Sequence, residues 1–175
     1  MIRNAVPADV PAILEIYRPY ILETAYTFEY EVPSPEAFAE RFETVTQMHP
    51  WLVWEENGEI LGYVYGEKPF SRAAYQWTAD LSIYLRMDCH GKGIGRALYG
   101  AAEEILRRQG YVSVYGIITS SNVGSRKFHE AMGYRQVAEL PNCGWKFGQW
   151  QSVVWMEKRL RDGEPQKPPV SWREL

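Results

Sequence analysis

The sequence predicts an α/β fold built on a mixed, mainly antiparallel sheet. Three observations carry that prediction. Residues 76–110, QWTADLSIYLRMDCHGKGIGRALYGAAEEILRRQG, read as a strand, a glycine-rich turn and a helix. Asn57-Gly58 lies between two apolar runs and signals a tight hairpin. Taken end to end, the patterns give the order β-α-α-β-β-β-α-β-α-β-β.

Residues 2–6 are strand-like. Asp9 is placed to cap a first helix, whose apolar face is Ile13, Ile16, Tyr17, Tyr20 and Ile21. The aromatic and acidic stretch 24–32 has neither a cap nor a helical period. It could line a substrate mouth, or pack its rings on the core. Ser34-Pro35-Glu36 opens a second helix with a cap, a proline at the first helical position and an acidic first turn; the helix runs to about Thr46. The hairpin pairs 51–55 with 60–65, and 68–75 is a loop. In the central strand, Gln76, Thr78 and Asp80 alternate with Trp77 and Ala79, and a break at Leu81-Ser82 suggests a bulge. A helix follows with Ile94, Leu98, Ala101, Ala102 and Ile105 on its apolar face. Arg96, Glu103, Glu104, Arg107 and Arg108 lie mostly opposite, and Gly110 stops it. Next come a strand over 112–118, a short helix over 122–132 ended by Gly133, a strand over 134–140, a polar loop over 141–149 and a last strand over 152–158. Residues 1–160 form one domain. The tail 161–175, rich in proline and charge, is expected to be loosely attached.

A chain of 175 residues, 46% hydrophobic and 14% aromatic, can bury one sizeable core. Its net charge of −3 and lack of a basic stripe argue against a nucleic-acid partner. Arg107-Arg108 and Lys158-Arg159 read as solvated faces. No apolar run is long enough for a signal peptide or a membrane span. Cys89 and Cys143 make no disulfide framework, so a cytoplasmic location is expected. His49, His90 and His129 show no ligand spacing, and no metal is expected.

A strand leading through Gly91, Gly93 and Gly95 into a helix presents bare N–H groups at a helix N-terminus, where the dipole favours phosphate. The turn lacks the Gly-Lys-Ser/Thr ending of a P-loop. No acidic residue ends a following strand, as a dinucleotide fold requires. The run HGKGIGRAL after DLSIYL instead resembles the acetyl-CoA signature of the GNAT N-acetyltransferases, Arg/Gln-x-x-Gly-x-Gly/Ala. Gly93 and Gly95 match, and His90 stands where Arg or Gln is usual. The segment 122–134, NVGSRKFHEAMGY, resembles the same superfamily's Asn-x-x-Ser helix. YQWTAD at 75–80 and GWKFGQW at 144–150 are similar to the phosphinothricin acetyltransferase branch.

The resemblance implies a single GNAT-type domain and an acetyl-CoA-dependent acetyltransferase. Its substrate would be the primary amine of a small amino acid or analogue of the phosphinothricin or methionine sulfoximine type, acetylated in a ternary complex. It puts acetyl-CoA on Ile83, Tyr84 and Leu85, on Gly91, Lys92, Gly93, Ile94, Gly95 and Arg96, and on Asn122. It makes Asp80 and His129 the catalytic pair. Asp80 stands where the branch usually has Glu, and its shorter reach leaves a relay through one water open beside direct transfer. Arg72, with Ala73, Ala74 and Tyr75, is the candidate site for the substrate's acid group, an arginine fork being suited to a carboxylate or phosphinate. Lys146 is a second candidate for that task. The branch also implies a homodimer, for which Trp145, Trp150 and Trp155 offer apolar surface; those rings could instead complete the core of one chain. Acetylation of a polyamine or a protein N-terminus, or acyl-CoA sensing without catalysis, are the competing functions.

The chemistry explains the residue types. An alkylamine with a pKa near 10 is only about one part in a thousand neutral at pH 7, so a positioned base contributes roughly 10²–10⁴-fold. The oxyanion formed on attack needs fixed donors, such as backbone N–H groups freed near Leu81–Ile83.

Overall fold

In the computed structural model, which describes residues 1–165 and 167–175, seven strands form one sheet with helices on both faces. The elements are β1 (Ile2–Asn4), α1 (Val10–Glu23), α2 (Pro35–Thr46), β2 (Trp51–Glu56), β3 (Glu59–Glu67), β4 (Thr78–Leu85), α3 (Ile94–Gln109), β5 (Ser113–Thr119), α4 (Val123–Ala131), β6 (Arg135–Lys146) and β7 (Gln149–Arg159). Their order in the sheet is β1-β2-β3-β4-β5-β7-β6, and every neighbouring pair is antiparallel except β4 and β5. The fold class and the order of seven strands and four helices are those expected.

Local chemistry sets most of the boundaries. Ser34 caps α2 by accepting the Ala37 N–H, a contact of about 1 kcal/mol. Asn57 and Gly58 both have positive φ, which gives the β2–β3 turn the twist a two-residue hairpin needs. Asp9 departs from its expected role. Its carboxylate does not cap α1; it takes a bidentate ion pair from Arg3 at 2.6 and 2.9 Å and the Val6 N–H at 2.8 Å.

Helices α1 and α2 cover one face, where Ile13, Ile16, Tyr17, Tyr20 and Ile21 pack with Phe38, Phe42, Trp51 and Tyr63. Helices α3 and α4 cover the other, where Leu98, Tyr99, Ala102 and Leu106 pack on Leu81, Val114 and Ile118. Two charges expected in solvent are buried there instead. Lys158 Nζ sits 2.6 Å from Glu103, and both side chains are largely covered.

Three further expectations are corrected. No bulge interrupts β4: its register with β3 runs unbroken from Gly62↔Leu85 to Glu67↔Asp80. Ala79, Leu81, Ile83 and Leu85 alternate strictly with Thr78, Asp80, Ser82 and Tyr84, and the apparent break reflects only that both faces are covered. Residues 141–149 are not a loop. They extend β6 and turn through Phe147 and Gly148, both with positive φ, into β7; an irregularity between Leu140 and Gly144 absorbs Pro141. The tail is docked. The Trp172 indole donates to the Thr46 carbonyl at 2.9 Å, Arg173 Nε to the same oxygen at 3.0 Å, and Ser171 Oγ to Gln47 at 2.8 Å, while Gln109 bridges Met48 and Val170.

That docking gives a prediction. Trp172→Ala loses one hydrogen bond and part of a buried ring, so it should lower unfolding free energy by about 1–3 kcal/mol in urea titration. An unchanged midpoint would mean the tail hangs free in solution.

Candidate active site

β4 and β5 pair for only three residues, Thr78↔Ser113 to Asp80↔Tyr115. Beyond them β4 stays with β3 and β5 stays with β7, so the sheet opens into a wedge. Alternate carbonyls of β4 turn toward this gap. Trp77 accepts from Val112 N–H at 2.8 Å, Leu81 from Tyr99 OH at 3.3 Å and Leu85 from Tyr20 OH at 2.6 Å. By the same alternation the Ile83 N–H and C=O face the gap, where no strand pairs with them.

The gap is the inner part of a groove. Leu81, Ser82, Ile83 and Tyr84 form one wall; Gly116, Ile117, Ile118 and Thr119 form the other; Asn122, Ser125 and His129 close the bottom. The outer part, about 590 Å³, runs past Ile83, Leu85 and Phe128 to His90, Gly91, Gly93, Gly95 and Arg96 at the head of α3. Gly91 and Gly93 hold φ of 77° and 83°, and nothing would crowd a Cβ at either. It is the backbone conformation that needs glycine there, and it leaves the amides of the α3 first turn open to an anion. His90, in the place of Arg or Gln, donates Nε2–H to Tyr20 at 3.0 Å, because the Tyr20 proton is committed to Leu85.

Of the expected cofactor residues, Ile83, Leu85, Gly91, Gly93, Gly95, Arg96 and Asn122 line the outer groove and Tyr84 the inner part. Lys92 is exposed on the turn and lines neither part of the groove, and Ile94 is buried in the core, so Ile94 can offer only backbone there. Asn122 caps α4 through Oδ1, which accepts the Ser125 N–H at 3.0 Å and leaves the NH₂ group to donate.

Asp80 stands at the last paired position, 7% exposed, with Oδ1 lacking any partner among the described residues. Burial first, then the cross-strand Glu67 carboxylate, pushes its pKa up to about 8, against the pull of the Leu81 N–H. Glu67 is itself raised by burial, with Arg41 opposing. His129 is 3% exposed. Its Nδ1 lies 2.8 Å from the Ser125 carbonyl and its Nε2 2.7 Å from Tyr99 OH. Burial lowers its pKa. No hydrogen bond joins Asp80 and His129: His129 lines the wedge, whereas Asp80 stands at the last β4–β5 pair before it and lines neither part of the groove.

Arg72, Ala73, Ala74 and Tyr75 sit on an exposed 3-10 turn, and none of them lines the groove. Tyr75 stacks on Phe70 at 4.4 Å and Phe70 on Trp155 at 5.4 Å; Trp155 pairs with Ile117 of the groove wall. Lys146 is spent on the Thr27 carbonyl at 2.7 Å. Of the two roles left open for the aromatic stretch, the first fits: Tyr26 lines the groove, while Tyr26, Phe28 and Tyr30 stay exposed rather than packing on the core, Phe28 lying over Gly144 of the edge strand β6, where a Cβ would come within 2.3 Å of the ring. Trp145 and Trp150 are half exposed or more, so they do not complete the core of this chain.

Tyr20, Tyr99, Gly116 and Ser125 were not foreseen as site residues. Gly116 carried a signal, since glycine inside a strand often marks close approach of another group. A Cβ there would lie 2.5 Å from His129 Nε2. Tyr99 carried none, being one more aromatic on a buried helix face. Among the described residues no group of three or more His, Cys, Asp or Glu is placed to hold a metal, and no helix is long and apolar enough to cross a membrane.

Comparison with known proteins agrees with this geometry. Residues 2–155 match the family described as acetyltransferase (GNAT) domain. Phosphinothricin N-acetyltransferase of Streptomyces viridochromogenes is 32% identical over 95% of this chain and 91% of its own. The L-methionine sulfoximine/L-methionine sulfone acetyltransferase of Pseudomonas aeruginosa is 35% identical over 91% of this chain and 94% of its own. A phosphinothricin acetyltransferase from Sinorhizobium meliloti, solved with acetyl-CoA, superposes with a TM-score of 0.91 at 33% identity, covering 96% of this chain and 92% of that one.

The packing at Gly116 is directly testable. Gly116→Ala should destabilise the fold by about 1–3 kcal/mol through overpacking and displace the His129 ring signals in NMR spectra. A silent substitution would mean the ring does not lie against β5.

Proposed function

This chain belongs to the GNAT acetyltransferase family and is an acetyl-CoA-dependent N-acetyltransferase; we propose that its acceptor is the primary amine of a small amino acid or analogue, of the phosphinothricin or methionine sulfoximine type. The observation that carries this reading is the wedge past Asp80, continuous with the glycine turn of α3 and lined by one buried imidazole, with a buried carboxylate at the last strand pair before it. The open α3 amides, the positive-φ glycines and the unpaired Ile83 peptide suit a pyrophosphate and an amide-bearing arm, so acetyl-CoA fits the residues present. It supplies an acetyl thioester, whose carbonyl the neutral amine attacks.

The chain's own groups supply the rest. Asp80 takes the ammonium proton, directly or through one water. A carboxylate held near pKa 8 is a far better base at neutral pH than one near 4. The Ile83 N–H donates to the oxygen on which charge develops. Arg72 lines neither part of the groove; it stays the candidate partner for the substrate's acid group only through its turn, whose Phe70 stacks on Trp155 beside the Ile117 wall. The amino-acid reading is favoured over a polyamine because Glu29, the best candidate for an acidic funnel, is neutralised by Arg41 at 2.7 Å.

The test is thiol release from acetyl-CoA with phosphinothricin, methionine sulfoximine, methionine sulfone, spermidine and a peptide amine, across pH 6 to 9. Turnover is expected on the first three. Because the base must be deprotonated, kcat/KM should climb as pH rises and level off above about 8. Asp80→Asn should cost about 10²–10⁴-fold and replace that plateau with a rise that continues to pH 9, following deprotonation of the amine itself. Turnover of spermidine or the peptide alone would replace the substrate reading, and an unchanged pH profile in the variant would remove Asp80 from proton transfer.

A further inference from the structure

The bonds around His129 fix its tautomer. Nδ1 faces the Ser125 carbonyl at 2.8 Å, an oxygen that can only accept, so Nδ1 carries the proton in the neutral ring. The Ser125 hydroxyl, 3.4 Å away, adds a weaker contact on the same nitrogen. Nε2 is then a lone pair, and the group 2.7 Å from it is the Tyr99 hydroxyl. That hydroxyl has a second acceptor within reach, the Leu81 carbonyl at 3.3 Å on the wedge-facing side of β4. Tyr99 is fully buried, so its single proton is shared among protein acceptors, these two and the Tyr134 hydroxyl packed beside it.

We propose that Tyr99 is a positioning residue for His129, and that its hydroxyl serves both protonation states of the ring by exchanging its own hydrogen bond between Nε2 and the Leu81 carbonyl. The proposal rests on the reading of the wedge, which His129 lines, as the acetyl-transfer site. In the resting state Tyr99 O–H donates to Nε2. When Nε2 takes a proton given up by the attacking amine, the amine N–H bond breaks as Nε2–H forms, and the Tyr99 O–H bond stays intact. That O–H turns to donate to Leu81, the Tyr99 oxygen accepts from Nε2–H, and Nδ1–H still donates to Ser125. Both protonation states of His129 are thus fully bonded inside the core.

The charged and titratable groups around the pair come from several elements. On α3 itself Glu103 is paired with Lys158 of β7. Tyr134, just before β6, packs its ring 5.7 Å from Tyr99 and 5.2 Å from His129, and its buried hydroxyl has no partner among the described residues. Asp80 acts on Tyr99 from β4 through its charge. On α4, Phe128 closes the ring cluster. A turn of the Tyr99 O–H toward Tyr134 instead would leave the Leu81 carbonyl idle.

The experiment is Tyr99→Phe, read by the ¹⁵N shifts of His129 against pH and by kcat and KM. The wild-type shifts should show the Nδ1–H tautomer. Without the hydroxyl the imidazolium loses its Nε2–H acceptor, a charge-assisted bond stronger than the neutral one lost from the other state. His129 should therefore titrate at lower pH in the variant. In turnover, kcat should fall tenfold or more while KM for acetyl-CoA and for the amine stays within twofold. An unchanged His129 titration together with an unchanged kcat would overturn the proposal. Should the phenylalanine variant unfold, 3-fluorotyrosine at position 99 keeps the fold and makes the hydroxyl more acidic. His129 titration must then move, and its failure to move overturns the proposal equally. The titration needs no turnover, so absence of acetylation of every amine would refute the function reading while the titration still decides the role of Tyr99.

Discussion

The parting of β4 from β5 is the constraint on which the rest of the molecule depends. Each strand has a full antiparallel partner on its outer side, β3 along Gly62–Glu67 and β7 along Val153–Arg159, and the two share only three parallel pairs. Past Asp80 the outer partners win and the sheet splits. A split sheet exposes backbone groups that cost free energy when left unpaired. Tyr99 and Tyr20 satisfy two of the β4 carbonyls. What remains open, the Ile83 peptide and the amides at the head of α3, is what a pantetheine amide and a pyrophosphate can satisfy. The wedge is therefore both a defect in the sheet and the opening that the proposed function assigns to acetyl-CoA.

The same opening explains the electrostatics. Asp80 is the last residue inside the paired sheet, too deep for water to reach freely and opposite a second carboxylate, Glu67. In the proposed function that group has a use, since a carboxyl that is neutral at low pH and charged near 8 suits an ammonium substrate. His129, 3% exposed, could not serve as an isolated base; it is usable only because its two nitrogens meet a carbonyl and a hydroxyl. Gly116 makes that placement sterically feasible.

Much of this was legible in the chain. The NG hairpin, the Ser-Pro-Glu helix start and the glycine turn rest on local chemistry and formed where expected; the apolar stripe of α3 holds at Ile94, Leu98 and Ala102, but its buried face takes in Tyr99, Glu103 and Leu106 while Ala101 and Ile105 are only partly covered. What failed depended on distant partners. Asp9 looks like a cap until Arg3 is known to fold beside it. Residues 141–149 look like a loop because Pro and Gly interrupt them, whereas pairing with β7 carries them as strand. The charged tail looks loose, but Trp172 finds a carbonyl that only the end of α2 could offer. Asp80, His129, Asn122 and the glycine turn were readable through family resemblance. Tyr99, Gly116 and the wedge were not, because a splayed strand pair leaves no periodic mark on either strand.

The most direct test of the account is amide hydrogen exchange, resolved by NMR, with and without acetyl-CoA. The Ile83 amide and the amides of Gly93 to Arg96 should exchange markedly more slowly when acetyl-CoA is present, because they are the donors the wedge leaves open. Protection confined to another surface, such as the charged cleft between Arg3, Glu55 and Arg86, with Ile83 unchanged, would contradict the assignment of the wedge as the acetyl-transfer site.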